Sequence, residues 1–114
     1  MLIRLSVFLA GALVFATLAG AADKAPDGKV LYKQNCRVCH DKGSPNGEYS
    51  PVTLIQDQWQ TFFRDKLTKV HGDVVLPDQP GKKLLDLLTP EQLKAIQKFV
   101  VDHAADSEHP QTCG

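Results

Sequence analysis

The stretch Gly28–Gly43, GKVLYKQNCRVCHDKG, contains two cysteines separated by two residues and a histidine directly after the second cysteine. Three chemistries begin with the spacing of Cys36 and Cys39: a redox dithiol, a zinc site and a covalently attached haem. Only haem attachment gives His40 a required role, because its imidazole then binds the iron. The sequence on either side of the motif discriminates between the three.

The redox dithiol and the zinc site fit the surrounding sequence less well than haem. A thioredoxin-like pair follows a strand and lies at a helix N-terminus, whereas Cys36 and Cys39 follow an expected helix over residues 26–35. The negative end of that helix dipole disfavours a thiolate. A zinc site needs four ligands, and a set completed by His71 and Cys113 has an atypical spacing.

The haem interpretation accounts for every residue of the motif. The thiols of Cys36 and Cys39 form thioether bonds with the two vinyl groups, and the two intervening residues set the distance between the sulfur atoms. His40 then binds the iron from one side of the porphyrin. We therefore predict one covalently bound haem c, with its iron, as the cofactor.

The first residues of the chain have the composition of a secretory signal peptide. Arg4 supplies a positive charge, Leu5–Leu18 is an uncharged apolar run, and Ala19–Ala21 offers the small residues that a signal peptidase requires. We predict a cleaved signal over 1–21, and hence a periplasmic or extracellular protein without a stable membrane span. A retained membrane anchor is the alternative, for which the apolar run is short. Covalent haem attachment is associated with exported proteins, so the two predictions agree.

The rest of the chain is predicted to form one small domain over 22–105, followed by a polar tail over 106–114. The sequence of 114 residues contains 13 lysines and arginines and 13 aspartates and glutamates, so its formal net charge is zero. This balance argues against nucleic-acid binding, which needs a net basic surface. A domain of this size has a thin core, to which a buried porphyrin would add apolar mass.

Hydrophobic periodicity and capping signals predict an all-α fold. Asp27 is placed to cap the helix over 26–35, and the segment 41–51 is expected to be a loop because it is rich in Gly, Pro, Ser and Asn. Apolar residues at spacings of three and four predict a second helix within 52–72, ended by Gly72. We find no segment with the sustained alternation of a strand.

The last helix carries the strongest local signals. Thr89 is an N-cap residue, Pro90 suits the first helical position, and Gln92 completes a capping box. A loop over 73–83, with Pro and Gly as breakers, is expected before it. The residues predicted to form the buried stripe of this helix are Leu93, Ile96, Phe99 and Val100.

The sequence resembles the class I c-type cytochromes from Asp27 to Val101. In that family a glycine, an aromatic residue and the first haem cysteine follow one another at intervals of four, as Gly28, Tyr32 and Cys36 do here. The resemblance implies three to four helices wrapped around one covalent haem. It also implies that Gly28 lets the last helix cross closely, and that Tyr32 packs against Phe99.

The segment 88–100, LTPEQLKAIQKFV, resembles the family's last helix.

Two further positions bear on the iron. Pro51 stands where the family has a proline whose carbonyl accepts a hydrogen bond from the proximal histidine. An ordinary turn proline is the other interpretation of Pro51. The family's usual sixth ligand is methionine. The only methionine here is Met1, and Leu76-Pro77 stands where Met-Pro is expected.

We assign the vacant sixth position to His71, which lies at the end of the second helix and opens the loop that would carry a distal ligand. An imidazole in place of a thioether favours the ferric state and a low reduction potential. An iron that is open or weakly held on this side remains an alternative. So does ligation by another side chain of this region or of the C-terminal part: Lys69, His103 or His109.

Several residues near the expected haem have a second interpretation. Trp59 and Tyr49 are candidates to line the haem or to hydrogen-bond a propionate, although Trp59 also fits a plain core position. Cys113 is left over once the first two thiols are used, so it can link two chains as a disulfide dimer. Five lysines either surround the haem edge and attract an acidic partner or lie on solvated faces: Lys42, Lys66, Lys69, Lys82 and Lys83.

Together these features predict a monohaem electron-transfer protein that works with redox partner proteins. The sequence shows no paired carboxylates and no nucleophile triad, so we do not expect an enzyme. Two other functions remain open. One is a five-coordinate haem protein that binds or senses a small gaseous ligand, and the other is a haem subunit of a larger redox complex.

Overall fold

The computed structural model describes residues 25–111, and the chain in this range forms four helices. Its extended segments contribute a single β-bridge, between Val75 and Lys83, and no strand. The predicted all-α class is therefore confirmed. Each of these helices is too short or too polar to cross a lipid bilayer. The predicted signal over 1–21 and Cys113 lie outside the described residues.

Helix α1 consists of three consecutive segments: Gly28–Tyr32, a wider π-helical turn at Lys33–Arg37, and Val38–His40. Asp27 caps it as predicted, because its Oδ1 accepts hydrogen bonds from the first free amides of the helix at 3.0 and 3.2 Å. The helix runs past the predicted end at residue 35. The whole cysteine–histidine motif therefore forms its C-terminal part.

Helix α2 follows a single 3₁₀ turn at Pro51–Thr53. It comprises Gln56–Thr61, a π-helical turn at Phe62–Lys66, and Leu67–His71. Gly72 is the C-cap residue, as the sequence predicts. The helix therefore ends immediately after His71.

The loop after α2 returns to the body of the domain through a short helix that the sequence did not reveal. Helix α3 spans Leu84–Leu87. Its first amide, that of Leu84, donates to the carbonyl of Val74 at 2.8 Å, which ties the two ends of the loop together. Leu84 and Leu88 are buried, so this turn of helix is held mainly by tertiary packing.

Helix α4 spans Pro90–Asp102 and begins with the predicted capping box. Thr89 Oγ1 accepts from the Gln92 amide at 3.1 Å, and Gln92 Oε1 accepts from the Thr89 amide at 2.9 Å. Ile96 and Val100 from its predicted stripe are fully buried, whereas the other two stripe positions, Leu93 and Phe99, are half-buried.

Helices α1 and α4 cross at a very short distance. A Cβ atom on Gly28 would lie 2.1 Å from the carbonyl oxygen of Ala95 and 3.0 Å from Phe99 Cβ, so no other residue fits at this position. One turn further on, the rings of Tyr32 and Phe99 lie 5.5 Å apart between centroids. The expected roles of these three residues in the helix crossing are confirmed. Helix α2 also packs against α4, so α4 contacts both of the other long helices.

The segment after α4 packs against the domain. Ala104 is completely buried, and the Ala105 amide donates to the carbonyl of Leu54 at 3.1 Å. Asp106 Oδ1 accepts from the Gln56 amide at 2.7 Å. Structural contacts with the body of the domain therefore continue beyond the predicted boundary at residue 105.

Candidate cofactor site

A cavity of about 1090 Å³ lies between the C-terminal part of α1, helix α2, the loop after it, α3 and one face of α4. Its volume slightly exceeds the usual range for small-molecule sites, roughly 300–1,000 Å³. The walls are mainly apolar and aromatic: Leu54, Trp59, Phe62, Phe63, Ile96 and Val100. A cavity of this size and lining accommodates a large apolar cofactor.

Both motif cysteines contribute to the wall of this cavity. Cys36 and Cys39 are half-buried, and their thiols are free rather than joined in a disulfide. Burial, and to a smaller extent the neighbouring Cys39, raises the pKa of the Cys36 thiol to about 12. Catalytic dithiols lower the pKa of the attacking cysteine instead, so this environment does not favour the redox-dithiol interpretation.

His40 lies beside the two thiols and its ring orientation is fixed by one hydrogen bond. Its Nδ1 lies 3.0 Å from the carbonyl oxygen of Gly47. Since a carbonyl only accepts, Nδ1 carries the proton and Nε2 keeps the lone pair that a metal needs. The carbonyl of His40 accepts from the Tyr49 amide at 3.0 Å, which anchors the same loop a second time.

The prediction that Pro51 supplies this carbonyl was wrong. The Pro51 carbonyl accepts instead from Trp59 Nε1–H at 2.8 Å, in a buried hydrogen bond. The reason is the fold of the loop: turns at Asp41–Ser44 and Ser44–Gly47 bring the chain back towards His40 several residues before Pro51. Pro51 does not line the cavity. It holds Trp59, which does line the cavity, through this hydrogen bond.

The Asn46-Gly47 dipeptide was the sequence signal for this turn. Gly47 has a φ angle of +90°, in the region that glycine adopts most easily. An Asn-Gly pair is typical of such turns. The signal predicts a tight turn, but it does not say which side chain the carbonyl of the turn reaches.

His71 faces His40 across the cavity. The two ring centroids lie 6.0 Å apart, with an angle of 65° between the ring planes. Two imidazoles bound to one metal ion from opposite sides, through bonds of about 2.0–2.1 Å, have ring centres roughly 6 Å apart. The spacing of the two histidines therefore fits one metal ion held between them.

The environment of His71 also favours ligation. Its Nδ1 is buried and makes no hydrogen bond with any residue of the 25–111 range. Burial first, and then the nearby His40, lowers the pKa of His71. The Leu67 carbonyl opposes the shift, although its contact with the ring falls short of hydrogen-bond geometry. The neutral imidazole, which is the form that binds metals, is thereby favoured.

The other candidates for the sixth position lie away from the cavity. His103 is the C-cap residue of α4, and its Nδ1 lies 2.7 Å from the carbonyl oxygen of His109. Neither of these histidines, nor Lys69, contributes to the cavity wall. Leu76, at the position where a methionine was expected, is buried in the core, while Pro77 lines the cavity.

The donor set discriminates between a free metal ion and a porphyrin. Within the described part of the chain, no three His, Cys, Asp or Glu side chains come together in a way that could hold a metal ion. Two opposed imidazoles are nevertheless sufficient when a porphyrin supplies the remaining four nitrogen ligands. The cavity residues therefore fit a haem, whereas a zinc site would need donors from outside residues 25–111.

The aromatic candidates occupy different positions around the site. Trp59 is buried in the core and lines the cavity, and its indole N–H is already bonded to Pro51. It therefore cannot also bond a propionate. Tyr49 is 41% exposed and its ring meets the His40 ring edge-on at 5.1 Å. The hydroxyl of Tyr32 donates to the Tyr49 carbonyl, which holds the loop against α1.

Of the five lysines considered for partner binding, only Lys66 lines the cavity. Lys83 forms an ion pair with Asp73 at 2.8 Å, on the exposed surface.

Comparison of the chain with protein-family models, with curated proteins and with solved structures finds no match.

Proposed function

We propose that this chain is a monohaem c-type cytochrome of the class I type, which transfers electrons with its haem iron held between His40 and His71. The observation that carries the proposal is the 6.0 Å separation of the two imidazoles across a large apolar cavity. The free thiols of Cys36 and Cys39 lie in the wall of the same cavity.

The thiols provide the covalent attachment. Each S–H would add across one vinyl group, with the new carbon–sulfur bond on one vinyl carbon and the thiol hydrogen on the other. This addition is redox-neutral and requires both thiols to be reduced, as Cys36 and Cys39 are. Their place in the last turns of α1, directly before His40, holds sulfur atoms and imidazole on one helix end.

The two histidines complete the coordination. His40 would bind through Nε2, and its hydrogen bond to the Gly47 carbonyl keeps the ring from rotating. His71 approaches from the opposite wall in its neutral form. When bound, the haem supplies a one-electron redox couple. Two imidazoles favour a lower potential than a histidine–methionine pair, and they leave no open position for a substrate.

The helix arrangement supports the class I assignment. Two features that the resemblance to this family implies are present: α1 and α4 cross closely at Gly28, and Tyr32 contacts Phe99. The capped last helix is a third. We propose accordingly that the protein is exported to the periplasm or beyond, that it exchanges electrons with redox partner proteins, and that it is not itself an enzyme.

An optical spectrum of the protein, produced with a c-type haem maturation system, tests this function. We expect a coloured protein whose haem stays with the polypeptide in acidified organic solvent and whose oxidised and reduced spectra are low-spin. The double variant Cys36→Ala/Cys39→Ala is the control and should lose its haem to the solvent. A colourless wild-type protein would contradict the proposal. A high-spin reduced protein that binds carbon monoxide at once would favour the five-coordinate, gas-binding alternative.

A further inference from the structure

The middle of helix α2 departs from regular α-helical geometry. At Phe62–Lys66 the helix forms a π turn, in which the Leu67 amide donates to the carbonyl of Phe62, five residues back. Lys66 has a φ angle of −116°, far from the value of about −63° that is usual in a helix. One wide turn of this kind accommodates one residue more than an α-helical turn.

The extra residue changes which side chains share a face of the helix. His71 follows Trp59 by 12 positions, and in a regular α-helix the two side chains would point about 120° apart. Both line the same cavity, which is wide enough to be bordered by neighbouring residues on other faces of α2 as well, so the ring contacts of His71 are the sharper evidence for its direction. With one residue absorbed in a π turn, the angle between the Trp59 and His71 side chains falls to about 20°. In a regular helix, Val70 would occupy that direction instead of His71.

The contact between Phe62 and His71 leads to the same conclusion. Their ring centroids lie 5.8 Å apart, although His71 follows Phe62 by 9 positions. In a straight α-helix these residues would lie on opposite sides, roughly 13.5 Å apart along the axis. The contact therefore requires a change of phase between the two halves of α2, and π turns are a known cause of helix kinks.

Helix α1 has the same feature at the opposite wall. Its π turn, Lys33–Arg37, contains Cys36 and directly precedes the segment with Cys39 and His40. Both helices that carry the proposed haem-binding residues thus contain one π turn in the residues described. Single π turns within α-helices occur frequently at functional sites.

We propose that the π turn at Phe62–Lys66 is a positioning device that rotates the last turn of α2, so that His71 rather than Val70 faces His40. The inference rests on the proposed haem function, because it concerns the ligand of that site. Trp59 and Phe62, before or at the start of the π turn, line the cavity, and His71, after the π turn, lines it as well. Val70 also borders the cavity, but it is 60% exposed, whereas the His71 ring lies 6.0 Å from that of His40. Without the π turn, the direction towards His40 would fall to Val70, whose side chain cannot bind a metal.

Deletion and insertion within the π turn test the proposal. Asp65 is exposed, and its ion pair is with the adjacent Arg64 at 2.9 Å. When Asp65 is deleted, the π turn can close into an α-helical turn without changing the direction of His71, so we expect the low-spin spectrum to be retained. When one alanine is inserted between Arg64 and Asp65, His71 rotates by about 100°, so we expect loss of the low-spin spectrum.

The substitution Asp65→Ala is the matched control, since it removes the ion pair at constant length and should leave the spectrum unchanged. In a regular α-helix, deletion and insertion would both turn His71 away. A folded, covalently loaded deletion variant with a high-spin spectrum would therefore overturn the proposal, and so would a low-spin insertion variant. Haem that is extractable from all variants and from the wild type would instead contradict the proposed function.

A direct measurement on the wild type does not depend on how the variants fold. NMR couplings across hydrogen bonds identify the carbonyl that accepts from the Leu67 amide. We expect the carbonyl of Phe62; a coupling to Phe63, the regular i−4 partner, would rule the positioning role out.

Discussion

The imidazoles of His40 and His71 lie 6.0 Å apart between ring centroids, and they come from the ends of two different helices. Both helices stop directly after their histidine, so each ring stands at a helix end and faces the cavity rather than a neighbouring turn. His40 Nδ1 donates to the Gly47 carbonyl, whereas His71 Nδ1 is buried and has no hydrogen-bond partner within the described chain.

If the chain holds a haem as proposed, replacement of His71 by alanine should open one side of its iron. We expect His71→Ala to keep its covalent haem, to change from a low-spin to a high-spin spectrum, and to bind carbon monoxide faster than the wild type. Spectra of the oxidised and reduced proteins measure the change. His103→Ala is the matched control, because His103 lies away from the cavity, and its spectrum should not change. A low-spin His71→Ala variant would show that another side chain is the ligand.

Gly47→Ala should weaken the support of the proximal histidine. Gly47 has a φ angle of +90°, and an added Cβ would lie 2.9 Å from the ring of Tyr49. Either the turn or the Tyr49 ring, which packs on His40, must shift, so we expect the hydrogen bond to His40 Nδ1 to weaken and the imidazole to become a weaker donor to the proposed iron. We expect a higher reduction potential, measured by redox titration. Gly43→Ala is the control: Gly43 also has positive φ, at +75°, but its Cβ would meet nothing within 4 Å.

Both glycine variants carry a similar backbone cost, about 1–2 kcal/mol for a residue forced into the left-handed region. Urea unfolding should therefore show destabilisation in both proteins, at least as large for Gly47→Ala because of its contact with Tyr49. Only Gly47→Ala should change the potential. Equal potentials in the two variants would mean that the Gly47 carbonyl does not influence the iron through His40.

Gly28→Ala should disrupt the crossing of α1 and α4. The new methyl group would lie 2.1 Å from the Ala95 carbonyl oxygen, which belongs to helix backbone and cannot rotate away. Overpacking of this kind costs typically about 1–3 kcal/mol, and more where the backbone has to move. We expect a lower urea midpoint for Gly28→Ala. Retention of wild-type stability would show that the two helices can separate without cost.

The pH dependence of stability should reveal the buried hydroxyl of Tyr32. Burial is the main cause that raises the pKa of Tyr32 above its ordinary value of 10.0. In the unfolded chain the hydroxyl loses its proton near pH 10, whereas in the folded protein it keeps the proton to higher pH. The unfolded state therefore binds fewer protons above pH 10, and stability falls as the pH rises.

Unfolding free energies measured between pH 9 and pH 11 for the wild type and for Tyr32→Phe separate this effect from the titration of lysines. The difference in stability between the two proteins should shift in favour of Tyr32→Phe as the pH rises. A difference that stays constant over this range would contradict the assigned burial of the hydroxyl.

The sequence predicts the local structure well because the signals involved are local. Asp27 and the Thr89–Gln92 pair cap helices through hydrogen bonds that span three residues or fewer, so they can be identified from spacing alone. Gly28 and Tyr32 are recognisable because their spacing resembles that of a known family. By contrast, α3 was missed, since a helix of this length depends on burial of Leu84 rather than on its own propensity.

The sequence by itself determined the helical class, the caps at Asp27, Gly72 and Thr89, and the set of thiols and imidazoles from which the proposed haem site is built. Only the tertiary structure decided that the Gly47 carbonyl, and not that of Pro51, holds His40, and that His71 turns towards it. Caps and periodicity depend on neighbours within one or two turns. The path of a loop and the phase of a helix beyond a π turn depend on packing between distant segments, which spacing along the chain does not encode.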